Sequence, residues 1–134
     1  MRIGKLLLVV AFVCAGLLLA FPAAAQKQNN EQIARGRKLF ANYCASCHGV
    51  EATGNGPVAP SLKKHPSDLT RIESKNGKFP AEEIRKKIAG DGEVPVHGKK
   101  DMPVWGLIFS AADINNLVKY LESIQKPFQA QPAS

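Results

Sequence analysis

Cys44-Ala45-Ser46-Cys47-His48 constrains this chain more than any other segment. Two thiols separated by two residues and followed at once by histidine form the attachment pattern of a c-type haem. The spacing has a mechanical reason. Residues three apart on a helical turn share a face, so Cys44 and Cys47 can both reach the vinyl groups along one porphyrin edge and form thioethers. His48 then lies beside that edge and can offer an imidazole nitrogen to iron. Other uses of the pattern fit less well. A thioredoxin-like dithiol sits on a strand–helix unit, and nothing upstream of Cys44 reads as a strand. Zinc would need two more ligands at metal-like spacing, whereas His65 and His97 are isolated and the only other cysteine is Cys14. A structural disulfide in an oxidising compartment is the remaining alternative.

The N-terminus predicts export. Arg2 and Lys5 make a positive start, Leu6 to Phe21 is almost purely apolar, and Ala23-Ala24-Ala25 offers small residues for cleavage. This is the pattern of a secretory signal peptide over residues 1–25, with Gln26 as the first mature residue and a periplasmic location. The alternative is an uncleaved anchor facing the periplasm, for which the apolar run is short of the roughly 20 residues of a comfortable span. Cys14 lies within that run and leaves with it. As a lipoprotein cysteine it would want a small residue before it, and Val13 is not small.

Residues 26–134 are enough for one small domain, whose own core would be marginal. A haem changes that balance, being a large apolar disc fastened by covalent bonds and axial ligands. The net charge of +7 loses two with Arg2 and Lys5 and stays positive. A basic chain invites a nucleic-acid reading, but export and the lack of a nucleic-acid motif argue against it. A moderately positive surface suits an acidic protein partner.

The remaining pattern is helical. Asn30 can cap a helix that runs from about Glu31 into the haem motif, with Ile33, Gly36, Leu39, Phe40 and Tyr43 on its inner face. Gly36 costs that helix about 1 kcal/mol relative to Ala, which close approach of another helix would justify. Glycines and prolines from Gly49 to Pro66 predict an irregular loop able to wrap a flat cofactor, with His65 on its solvent side. Asp68 to Ile72 predicts a short helical turn. Pro80 suits the first position of a helix to about Ala89, with Phe79, Ile84 and Ile88 inward, Arg85, Lys86 and Lys87 outward, and Gly90 and Gly92 at its end. Glu93 to Trp105 reads as a second loop. Ser110-Ala111-Ala112-Asp113 resembles a capping box that opens a last helix to about Gln125. Its stripe is Ile114, Leu117, Val118, Leu121 and Ile124. Pro127 and Pro132 mark a frayed tail. The fold class is all-α, with about three to five helices and long loops around one haem.

The side of the iron opposite His48 needs a ligand or an opening. Met1 leaves with the signal, so Met102 is the only thioether left. Pro103 stiffens the chain just after it. His97 competes for this place and Lys99 is a weaker candidate. Histidine there would lower the reduction potential, whereas methionine raises it.

These segments together resemble the small bacterial class I c-type cytochromes. The resemblance is carried by Cys44 to Gly49, Gly54-Asn55-Gly56-Pro57, Pro66 to Thr70, His97-Gly98, Met102-Pro103-Val104-Trp105-Gly106 and Tyr120-Leu121 in the last helix. Leu107 stands where many relatives carry proline. The resemblance implies His48 as proximal and Met102 as distal iron ligand, and a crossing of first and last helices at Gly36, Phe40 and Tyr120. It also implies a proline carbonyl, that of Pro57 or Pro60, accepting the other ring N–H of His48. The function implied is that of a periplasmic electron carrier with no catalytic residues, a monomer or a subunit of a redox complex, docking on acidic partners through Lys63, Lys64, Lys99 and Lys100. The alternatives are a dedicated subunit of a periplasmic dehydrogenase or terminal oxidase, and a haem peroxidase, which would need an open iron.

Overall fold

The computed structural model describes residues 3–91 and 102–126, with side chains from Ala23 onward. Two compact units divide the chain, residues 1–31 and 32–134. The described residues form four α-helices and no strand, apart from an isolated bridge between Lys75 and Lys78 beside the Asn76-Gly77 turn. The fold is all-α, as expected. No helix among the described residues is long and apolar enough to cross a membrane.

Helix α1 runs from Ile3 to Tyr43. Asn30 therefore does not cap it, contrary to expectation. It lies inside the helix, where its Oδ1 accepts from Gln26 Nε2 at 3.1 Å. Gln26 to Asn29 ahead of it are already helical, and extending a helix is far cheaper than starting one. Helix α2, Ala45–His48, adds one turn directly after α1. The two are nearly continuous, since the Cys44 N–H donates to the Phe40 carbonyl and the His48 N–H to the Cys44 carbonyl, both at 2.9 Å.

Helix α3 spans Ala81–Ala89 and ends at Gly90 in the left-handed conformation (φ 81°, ψ 18°). Pro80 precedes its first turn instead of occupying it, with a non-helical ψ of 59°. Ile84 and Ile88 face inward. On the outer face Arg85 pairs with Glu82 at 2.5 Å and Lys87 with Glu83 at 2.7 Å, an arrangement that contributes little in water. The segment Asp68–Ile72 is a turn and not a helical one. Asp68 Oδ1 accepts from the Thr70 N–H at 2.8 Å and its hydroxyl at 2.6 Å, so a side chain takes the place of the next helical carbonyl.

Helix α4, Ala111–Ser123, starts at the predicted capping box. The Asp113 N–H donates to Ser110 Oγ at 3.2 Å, and the Ser110 N–H donates to Asp113 Oδ2 at 3.1 Å. Ile114, Leu117, Val118 and Leu121 are buried, Leu117 almost completely. They join Phe40, Ile84, Ile88 and Phe109 in one core. Positions 92–101 and 127–134 lie outside the described residues, and with them His97, Lys99, Lys100, Gly92, Pro127 and Pro132.

The crossing of α1 and α4 accounts for Gly36. A Cβ there would stand 1.9 Å from the Asn116 carbonyl oxygen and 2.8 Å from Tyr120 Cβ. Four residues on, the rings of Phe40 and Tyr120 meet at 5.3 Å with a 50° tilt. Gly36→Ala should therefore destabilise the protein despite its better helix propensity. We expect a loss of about 2 kcal/mol from overpacking, or roughly 10 °C in melting temperature, measured by thermal unfolding of the haem-loaded protein.

Candidate functional site

The turn Cys44–His48 is backed by the loop that follows it. The Gly54 N–H donates to the His48 carbonyl at 2.8 Å, Gly56 to Cys47 at 3.1 Å and Val58 to Ser46 at 3.0 Å. These bonds satisfy the carbonyls that a short helix leaves open at its end. Gly56 is required for this approach, since a Cβ would sit 2.4 Å from the Ser46 oxygen.

His48 is half-buried, and its Nδ1 lies 3.2 Å from the Ser67 carbonyl oxygen. A carbonyl can only accept, so Nδ1 carries the proton and the Nε2 lone pair is free. The expected partners Pro57 and Pro60 do not fill this role. The chain meets the imidazole at Ser67, and two residues on the Leu69 N–H is tied to the Ala52 carbonyl at 2.8 Å. Burial pushes the His48 pKa down and outweighs the Ser67 carbonyl, which favours the imidazolium. The ring is therefore neutral at neutral pH and able to bind a metal.

Both thiols of the motif are free and half-buried. Burial, and then the neighbouring Cys47, push Cys44 up to about 11. A thioredoxin-like nucleophile needs the opposite shift. Among the described residues no group of three His, Cys, Asp or Glu side chains could hold a metal ion, so the zinc reading finds no ligand set there.

Two clefts, of about 610 and 520 Å³, share Cys44, His48, Met102 and Trp105 in their walls. Apart from Lys87 the rest of the second is apolar, with Phe40, Leu69, Ile72, Ile84, Leu117 and Leu121. The structure thus brings Met102, distant in sequence, to the same cavity wall as the Cys–His turn. Trp105 stacks on Phe109 at 5.0 Å and 8°, and Tyr43 meets both rings edge-on at 5.7 and 5.1 Å. This aromatic wall stiffens the segment after Met102. Leu107, at the end of a short 3-10 turn, is 88 % exposed, so its place in the expected proline position costs no packing.

A haem fits this donor set and this cradle. Both thiols line the first cleft, an imidazole with a fixed tautomer and a thioether line both, and the second is walled mainly by apolar and aromatic side chains. His65 borders the outer cleft but is exposed, with Nδ1 3.1 Å from the Pro66 carbonyl. Lys63 and Lys64 are exposed nearby in sequence. Sequence reading missed Ser67, Phe109 and Gln125. Ser67 acts through its backbone and leaves no side-chain signal. Phe109 follows Trp105 at helical spacing, which could have identified it.

A family model described as Cytochrome c matches residues 33–125. No curated protein matches the chain.

Each thiol should form its own link. Cys44→Ser and Cys47→Ser should each keep haem through one thioether, with a red-shifted pyridine haemochrome band from the freed vinyl. The double variant should release its haem into acidified organic solvent.

Proposed function

The chain belongs to the cytochrome c family and so carries a covalently bound c-type haem, and from that premise we propose a single-haem periplasmic electron carrier in which His48 and Met102 hold the iron from opposite sides. Members of the family are typically electron carriers. The proposal includes residues 1–25 as a cleaved signal, with retention as an anchor the alternative. The observation that carries it is the pairing of His48 and Met102 in the walls of the same two clefts, beside Cys44.

When bound, the haem supplies a one-electron couple between ferric and ferrous iron. Cys44 and Cys47 fasten one edge to the turn after α1. His48 would hold the iron through Nε2, its Nδ1–H being held by the Ser67 carbonyl. The soft thioether of Met102 favours the ferrous state and raises the potential. Leu69, Ile72, Ile84 and Trp105 exclude water and keep the surroundings of low polarity. With His48 and Met102 both engaged by the iron, no position would be left for a peroxide or a gas. The ligand set then changes little between redox states, and little reorganisation opposes transfer.

A second reading, a dedicated subunit of a larger redox complex, is favoured by one observation. Val104, Leu107 and Ile108, beside Trp105, are 48 %, 88 % and 64 % exposed. An apolar strip next to the cofactor wall suits a lasting contact. Encounter with an acidic partner steered by Lys63 and Lys64 predicts instead a second-order transfer rate that falls with added salt. A salt-independent rate together with co-purification of a larger partner would favour the subunit.

The ligand assignment has a spectroscopic test. The ferric wild type should show the far-red thioether-to-iron band, and the ferrous protein should not bind carbon monoxide. Met102→Ala should keep covalent haem, lose that band, bind carbon monoxide and shift to a lower potential. A Met102→Ala protein with an unchanged spectrum would reject Met102 as ligand.

A further inference from the structure

The end of α4 meets the loop behind His48 through one side chain. Gln125 is half-buried and lies just past the last turn of α4. Both ends of its carboxamide are engaged. Oε1 accepts from the Ile72 N–H at 3.0 Å, and Nε2 donates to the Leu69 carbonyl at 2.8 Å and the Leu121 carbonyl at 2.7 Å. The bond to Leu121 anchors the group on α4, and the other two grip the loop on either side of Thr70. The neighbouring Lys126 N–H adds a bond to the Thr70 carbonyl at 2.9 Å.

The gripped loop is the one that holds the histidine. Ser67 lies two residues before Leu69, and its carbonyl accepts from His48 Nδ1. Between them Asp68 closes the turn onto Thr70, and the Leu69 N–H is bound to Ala52. The direction of the Ser67 carbonyl therefore follows from the rigid turn after it. A carboxamide offers a donor and an acceptor side by side without needing to gain or lose a proton, as needed to hold the Leu69 carbonyl and the Ile72 N–H together.

We propose that Gln125 is a positioning residue for His48, fixing through the Leu69–Ile72 turn the Ser67 carbonyl that accepts the ring proton. A firm bond at Nδ1 makes the imidazole a stronger donor, which favours ferric iron and lowers the potential. Gln125 is thus one means by which this chain sets its potential. The inference rests on the haem-carrier reading, since it requires His48 on the iron.

The test compares haem-loaded wild type with Gln125→Met, which has similar reach and no hydrogen-bonding carboxamide. Ser123→Ala serves as the control. The Ser123 hydroxyl donates to the Tyr120 carbonyl at 2.7 Å, at the same helix end and not to the loop. In Gln125→Met the His48 ring proton, followed by NMR, should exchange with solvent roughly two- to tenfold faster, and the midpoint potential should rise. Ser123→Ala should change neither. If Gln125→Met does not accumulate, Gln125→Asn is measured in its place, since it keeps the amide but is too short to span both bonds. A variant that melts earlier yet keeps wild-type ring-proton exchange and potential would make Gln125 a helix cap only and overturn the proposal. The exchange comparison does not depend on the ligand opposite His48. A missing far-red band in the wild type would overturn the Met102 assignment separately.

Discussion

The close crossing of α1 and α4 at Gly36 sets the placement of everything else. With no side chain at that point, the two helices approach until a Cβ would overlap the Asn116 carbonyl. The Phe40 and Tyr120 rings then lock the crossing four residues further along α1. Both helices carry functional groups at their C-terminal ends. The continuation of α1 presents Cys44, Cys47 and His48, and the end of α4 presents Gln125. A change in the crossing would move the histidine and the support of its carbonyl partner relative to each other. Packing at a glycine is in this way coupled to the chemistry of an imidazole.

Much of this was legible in the sequence. The pentapeptide specified its own local geometry, because three-residue spacing on a helical turn leaves few alternatives. The capping box at Ser110 and the stripe of α4 are local patterns, and both appear where expected. Gly36 pointed either to a close approach or to a tolerated surface glycine, and the 1.9 Å that a Cβ would leave to the Asn116 oxygen decides for the approach. The failures have a common physical character. Asn30 has the side chain of a cap, but capping depends on whether the preceding residues are helical, which one residue does not determine. Asp68 to Ile72 has helix-compatible residues, yet the Asp68 carboxylate captures the amide and hydroxyl of Thr70. Ser67 acts through a carbonyl that every residue possesses, so only the chain path, and no residue type, could place it ahead of Pro57 and Pro60. Gln125 marked only the expected end of the last helix, because its partners at Leu69 and Ile72 are remote in sequence.

The site's electrostatics follow from the same packing. His48 is neutral because burial disfavours the imidazolium more than the Ser67 carbonyl favours it. That carbonyl still decides which nitrogen is protonated, and so which one is free. Full exposure would weaken the preference for the neutral ring, and loss of the carbonyl would leave the tautomer undetermined. Both conditions require the loop after Pro66 to lie against the Cys–His turn. The Leu69–Ala52 bond holds it there from one side, and Gln125 and Lys126 hold it from the other. The nitrogen left with a free lone pair is therefore selected by a backbone path clamped between a turn and a helix end, and under the proposed reading that path would fix a half-buried histidine on a four-residue helix as an iron ligand.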